Sequence, residues 1–144
     1  MSYSLDVNIL LYATNAESEE HLRARDFLQV CASGGELLCL AWITVISYLR
    51  MSTHPRLFAA PLSSAEAERN INALISRPHV RMLAEEDGFW ELYRGLTRAL
   101  PVRGNLVPDA HLATILRQHG VVKLYTRDRD FRKFDFLDVR DPIA

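Results

Sequence analysis

Short apolar segments of strand length alternate with segments of helical periodicity along the sequence. This alternation predicts an α/β fold with a mostly parallel sheet, because parallel strands need a crossover segment, usually a helix, between them. The predicted strands are Ser2–Leu5, Leu37–Leu40, Val80–Leu83, Val121–Thr126 and Phe136–Val139. Helices are predicted at Val7–Ala13, His21–Ala32, Ala41–Met51, from the cap Ser63 to Ile75, from the cap Asp87 to Leu100, and at Pro108–His119. Because no repeat or linker divides the chain, we expect a single domain over residues 1–144.

Charge and cysteine content limit the classes of partner. The net charge of −1 is not that of a nucleic-acid binder, so any contact with RNA must use a local basic patch. Cys31 and Cys39 lack metal-ligand spacing and suit buried positions in a reducing compartment. We find no signal peptide and no membrane-spanning segment in the sequence, and we therefore expect no membrane partner and a cytoplasmic location.

Asp6 lies inside the apolar stretch Tyr3–Ala13, where a carboxylate requires an explanation. It follows the first predicted strand and precedes the first predicted helix. One interpretation is a helix cap, since Asp is a favoured N-cap residue. The other is a ligand site, since open parallel sheets bind ligands at the carboxyl ends of their strands.

Further carboxylates occupy equivalent positions later in the chain. Asp109 lies at the start of a predicted helix, and Asp128 and Asp130 follow the strand that ends near Thr126. Carboxylates gathered at one edge of a sheet repel one another unless a cation lies between them. Oxygen ligands alone suit Mg²⁺ or Mn²⁺, and no His or Cys spacing indicates zinc. Taken singly, each acid has an alternative interpretation as a helix cap or a turn former.

Three segments, LDVNILLYA, VPDAHLATIL and LYTRDRDF, resemble the PIN-domain family in their order and spacing, and more narrowly the VapC-type toxins of bacterial toxin–antitoxin pairs. The resemblance extends over the chain and includes WITVISYLRMSTHPRLF. It implies a three-layer fold with a five-stranded, mostly parallel sheet flanked by helices. It also implies Mg²⁺-dependent endoribonuclease activity, a cognate antitoxin that occludes the active site, and a homodimer.

By position, Asp6, Asp109 and Asp128 match the metal-site acids of the family, and Asp130 is a secondary metal candidate. Asn8 and Thr126 match polar positions near that site. Ser47 stands where the family usually has a Glu, in SYLR in place of a segment like EFLR. This departure implies weaker metal binding, unless Glu17 or Glu36 compensates from a loop.

Basic residues flank the expected site. Arg50, Arg127 and Arg129 are candidates for contact with RNA or the antitoxin, and ordinary surface ion pairing is the alternative. We expect a toxin that hydrolyses RNA phosphodiester bonds with a metal-activated water. The alternative is a PIN-like module that binds RNA or antitoxin through an incomplete metal site.

Overall fold

Five strands form one sheet in which every pairing is parallel, in a computed structural model that describes residues 1–144. Their spatial order is β3-β2-β1-β4-β5. Tyr3 of the central strand β1 lies opposite Leu38 on one side and Lys123 on the other. The predicted α/β class with a parallel five-stranded sheet is confirmed. The strands are β1 Ser2–Leu5, β2 Leu37–Ala41, β3 Val80–Leu83, β4 Lys123–Tyr125 and β5 Asp138–Arg140.

Six α-helices cover the two faces of the sheet. Successive residues of a strand point to opposite faces, so β2 contributes Leu38 and Leu40 to one apolar cluster and Cys39 and Ala41 to the other. The first cluster packs against α1–α4, and the second packs mainly against α6. The result is the expected three-layer arrangement. The helices are α1 Val7–Thr14, α2 His21–Ala32, α3 Trp42–Ser52, α4 Ser64–Ile75, α5 Phe89–Thr97 and α6 Leu106–Gln118.

Several element boundaries differ from the prediction. Helix α6 begins at Leu106 and not at Pro108. A proline is tolerated in the first turn of a helix because the N–H it lacks would have no intrahelical partner there. Asp128 and Asp130, for which a turn was one interpretation, lie at the start of a short 3-10 helix, Arg129–Lys133. Strand β5 extends to Arg140, and the helix predicted to reach Leu100 ends at Thr97.

The strand order creates a switch point between β1 and β4. From β1 the chain proceeds outward to β2 and β3, and then returns to place β4 and β5 on the other side of β1. Ligand sites of open α/β sheets form at the carboxyl ends of the strands beside such a reversal. Asp6 follows β1 directly, and Thr126 follows β4 directly, so both lie at this position.

Two further expectations concern the cysteines and membrane-spanning helices. Cys31 and Cys39 are both free and buried, as expected for small hydrophobic residues. None of the six helices combines the length and the apolar character that are needed to cross a lipid bilayer.

Candidate metal centre

Three carboxylates converge at the switch-point edge. Asp109, Asp128 and Asp130 each present an oxygen, and the three oxygens lie within 4.8 Å of one another. We call these residues the acid group. Asp109 lies in the first turn of α6, and Asp128 caps the 3-10 helix by accepting a hydrogen bond of 2.9 Å from the backbone N–H of Asp130. A donor set of carboxylate oxygens fits a hard dication such as Mg²⁺ or Mn²⁺.

Asp6 lies beside the acid group, and Thr126 connects the two. One oxygen of Asp6 caps α1 by accepting a bond of 2.7 Å from the N–H of Val7, which confirms the cap interpretation. The other oxygen accepts a bond of 2.7 Å from the hydroxyl of Thr126. The same hydroxyl oxygen accepts the N–H of Asp128 at 3.0 Å and the side-chain amide of Asn8 at 3.3 Å. Thr126 is only 2% exposed. Its side chain therefore fixes the end of β1 relative to the start of the acid group.

Burial, and then repulsion between neighbouring carboxylates, raises the pKa values of two of these acids. Burial, and then the negative charges of Asp128, Asp6 and Asp130, raise the pKa of Asp109 to about 7, against a partial opposing effect of Lys133. Burial also raises the pKa of Asp6, although its bonds from Thr126 and Val7 act in the opposite direction. A bound cation would remove the repulsion and favour the ionised carboxylates.

The other polar residues that were predicted near the site differ in their positions relative to the acid group. Asn8 keeps its side-chain oxygen buried without a hydrogen-bond partner. Ser47 is half-buried on α3, and its hydroxyl makes no hydrogen bond within the protein. Glu36 precedes β2 and pairs with Lys123 at 3.3 Å, at the amino edge of the sheet. The idea that Glu36 compensates for Ser47 is therefore wrong, because the acid group lies at the opposite edge. Glu17 is exposed in the loop after α1 and does not belong to the acid group.

The basic residues divide into two locations. Arg127 and Arg129 line a small cavity beside Asp128, and Arg127 pairs with Asp141 at 3.0 Å. Arg50 is exposed in the last turn of α3 and does not line that cavity. The sequence interpretation missed Asp141. It follows β5 directly, as Asp6 follows β1, so the same strand-end pattern identifies it once β5 is extended to Arg140.

A larger cavity of about 370 Å³ lies elsewhere, among α1–α4. Its lining is mostly aliphatic and includes Leu10, Leu28, Ile71 and Leu74. It contains no carboxylate, histidine or basic side chain. Hydrolytic chemistry is therefore better supported at the acid group.

Comparisons with known proteins agree with this architecture. A family model described as the PIN domain matches residues 3–137. The chain is 43% identical to Ribonuclease VapC48 of Mycobacterium tuberculosis over 144 residues, which is all of this chain and 99% of that protein. Among solved structures, VapC20 of M. tuberculosis, described as a sarcin-ricin loop cleaving toxin, matches with a TM-score of 0.68 at 20% identity, over 96% of this chain and 99% of that one. VapBC2 of Rickettsia felis, bound to a promoter DNA fragment, matches with a TM-score of 0.67 at 17% identity, over 97% of this chain and 98% of that one. These two structures bear on the fold alone.

Proposed function

The chain belongs to the PIN-domain family, and from this premise we propose that it is a metal-dependent endoribonuclease of the VapC type, the toxin of a toxin–antitoxin pair. The observation that carries the proposal is the convergence of Asp109, Asp128 and Asp130 at the switch point of the sheet, with Asp6 fixed beside them. Similarity over the full length to a protein named a ribonuclease supports the same conclusion.

The donor set fits a hard dication, with Mg²⁺ as our proposal and Mn²⁺ as its alternative. Asp109, Asp128 and Asp130 would hold it, and Asp6 adds a fourth negative charge at close range. When bound, such a cation lowers the pKa of water and stabilises negative charge on a phosphate. Burial, and then the charges of the neighbouring acids, raises the pKa of Asp109, and this supports the fit because a bound cation would favour the ionised carboxylate against both effects.

Side chains of this protein fix the geometry of the site and can accept a proton. Thr126 donates to one oxygen of the Asp6 carboxylate and the N–H of Val7 donates to the other, so this group is fixed before a substrate arrives. A carboxylate oxygen at this edge can accept the proton of the attacking water. Asn8 supports this arrangement through its side-chain amide, which donates a hydrogen bond of 3.3 Å to the hydroxyl oxygen of Thr126.

Partners follow from the same proposal. The substrate is RNA, a cognate antitoxin blocks access to the acid group, the working assembly is a homodimer, and the place of action is the cytoplasm. The relatives named as VapC ribonucleases support RNA as the substrate, and the antitoxin, the homodimer and the cytoplasmic location complete our proposal.

The test is cleavage of single-stranded RNA by the purified chain with Mg²⁺ and with EDTA. Asp128→Asn and Asp6→Asn keep the side-chain shape and remove a charge. We expect each to lower the cleavage rate by more than the ~10- to 100-fold typical of groups that only support metal ligands. Asp26→Asn, at an exposed position on α2, is the matched control. Variants that cut as fast as the parent, with circular dichroism unchanged, would refute the assignment.

A second candidate function is a binding module with an incomplete metal site. The observation that favours it is Ser47, which offers a hydroxyl where the family usually has a carboxylate. A parent chain that binds RNA but leaves it intact across Mg²⁺ and Mn²⁺ titrations would support this alternative.

A further inference from the structure

A cavity of about 150 Å³ adjoins the acid group, and arginine side chains dominate its lining. Asp128 belongs both to the acid group and to the wall of this cavity, so the two features are continuous. We call it the arginine cavity. Its lining includes Thr126, Arg127, Asp128, Arg129, Arg132 and Asp141.

Arg127 is held in a defined orientation. Its Nε donates a hydrogen bond of 3.0 Å to one oxygen of Asp141, whose other oxygen accepts the backbone N–H of Ile143 at 3.0 Å. The side chains of the pair are only 31% and 28% exposed, so solvent screens them partly. Because Asp141 engages Nε, the two terminal amino groups of Arg127 have no partner in the protein. A guanidinium group anchored through Nε can present this pair of donors to a phosphate.

The other two arginines of the cavity have no partner in the protein. Arg129 and Arg132 are exposed, and neither forms an ion pair or a side-chain hydrogen bond. Among the side chains of the lining, three guanidinium groups outnumber two carboxylates, those of Asp128 and Asp141. A site of this composition is suited to an anion.

We propose that the arginine cavity is a phosphate subsite for the RNA strand, in which Arg127 and Arg132 bind a phosphate next to the one at the acid group, and that Asp141 is the positioning residue of Arg127. This inference rests on the proposed function. We assign the cavity to an RNA strand because phosphates repeat along such a strand. One phosphate can therefore lie at the acid group while a neighbouring phosphate enters the cavity.

The first test measures affinity for single-stranded RNA without cleavage. The full chain is titrated in EDTA, at several salt concentrations, with a fluorescein-labelled RNA of about 12 nucleotides, a length within known single-strand site sizes. We expect Arg127→Ala and Arg132→Ala each to weaken binding about tenfold and to reduce the slope of log K against log salt by about 0.7, the loss of one phosphate contact. Arg23→Ala, an exposed arginine on α2 without an ion pair, is the matched control. Arginine variants that behave like this control would overturn the subsite.

The second test separates positioning from net charge. Removing a carboxylate from the cavity should tighten RNA binding if only total charge matters. If Asp141 positions Arg127, Asp141→Ala should instead weaken binding, and Asp141→Asn, which keeps an acceptor oxygen, should recover most of it. Tighter binding by the Ala variant would overturn the positioning role. If the Asp141 variants do not fold, Arg127→Lys serves, because it keeps the charge and loses the paired donors. An Arg127→Lys variant with the RNA affinity of the parent would then overturn the positioning role.

Two controls keep this inference distinct from the proposed function. Calorimetry should show that the arginine variants bind Mg²⁺ at least as tightly as the parent, because neither arginine can be a metal ligand and each substitution removes a positive charge near Asp128. A parent that never cuts RNA, while its RNA affinity still depends on Arg127 and Arg132, would refute the nuclease and support the subsite. Arginine variants that lose affinity for the antitoxin and keep it for RNA would overturn the subsite in favour of an antitoxin contact.

Discussion

At the residue scale, Thr126 determines how the acids face one another. Its hydroxyl has one proton, which goes to Asp6, while its lone pairs accept from Asp128 and Asn8. No other single side chain is bonded to both Asp6 and Asp128. The preorganisation of the site therefore depends on a residue that carries no charge.

Replacing this hydroxyl should affect both stability and metal binding. Thr126→Val keeps the shape but leaves buried partners unsatisfied, which should lower the free energy of unfolding by about 1–3 kcal/mol. We also expect Mg²⁺ affinity to fall by ~10- to 100-fold, as for other groups that orient ligands. Thr126→Ser should retain most of both properties. Urea denaturation and calorimetry measure them, and a Val variant that binds Mg²⁺ like the parent would contradict the role.

A pH-dependent effect is expected from Asp109. Its pKa in the folded chain is about 7, above the ordinary carboxyl value of 3.8, so the folded state binds this proton more tightly than the unfolded state. The resulting stabilisation is present below pH 4 and is lost as the pH rises to 7. Without metal, Asp109→Asn should therefore stabilise the fold at pH 8, by about 2 kcal/mol after allowance for partial solvent screening, and hardly at all at pH 4.

Thermal unfolding of both chains at the two pH values, in EDTA, measures this difference. An equal gain at pH 4 and pH 8 would indicate improved packing and not the removal of a charge. With saturating Mg²⁺ at pH 8 the sign should reverse, because the parent alone then has its full ligand set.

Sequence reasoning located the acids because strand-end positions are local. Asp6 and Asp128 each follow a recognisable apolar run, and their convergence needs only a parallel sheet. Asp141 was missed because the last strand was predicted to end at Val139, where the apolar residues stop, whereas β5 continues through the charged Arg140. Whether Asp130 or Asp6 joins Asp109 and Asp128 in the acid group could also not be predicted from the sequence. It depends on the 3-10 turn that brings Asp130 next to Asp128, and on the hydrogen bonds that commit Asp6 to Val7 and Thr126.

At the element scale, α3 carries the main departure from the family pattern. Ile43 packs against the apolar cluster that contains Ala110, the neighbour of Asp109, and Ser47 lies one turn further along the same helix face. A longer acidic side chain at Ser47 would thus project from the face of α3 that packs toward the start of α6. The helix itself was predictable to within one residue at each end, because its apolar periodicity is continuous.

Ser47→Glu should therefore tighten Mg²⁺ binding by the free chain. Each additional carboxylate strengthens attraction for a hard dication, and Mg²⁺ gives up its waters reluctantly. Cleavage need not rise in proportion, since a firmer ground-state site does not by itself stabilise the transition state. Calorimetric titration compares the parent, Ser47→Glu and Ser47→Gln, the last as the uncharged control. Equal affinities in all three chains would mean that position 47 points away from the metal.

At the scale of the whole molecule, the strand order is what makes the site. Strand pairing joins residues that are distant in sequence, such as Leu5 and Tyr125, and no local pattern specifies which strands are neighbours. The alternation of strands and helices predicted a parallel sheet and the segments of its five strands, and the family resemblance implied the same five-stranded sheet. The position of the reversal between β1 and β4 became visible only in the structure. That reversal brings Asp6 and Asp128 together across more than a hundred residues of chain.

Folding and metal binding should consequently be coupled. The folded chain without metal holds four mutually repelling carboxylates at one edge, whereas the unfolded chain separates them. A cation that binds only the folded state stabilises it by mass action, about 2.7 kcal/mol at a concentration of 100 Kd. For a chain of this size that corresponds to a rise in Tm of roughly 5–10 °C. We expect this rise with Mg²⁺ at pH 8, measured by differential scanning calorimetry against NaCl of equal ionic strength. Asp128→Asn should reduce the rise sharply, and Asp26→Asn should not. A Tm that responds identically to MgCl₂ and NaCl would mean that the acids at this edge do not form a metal site.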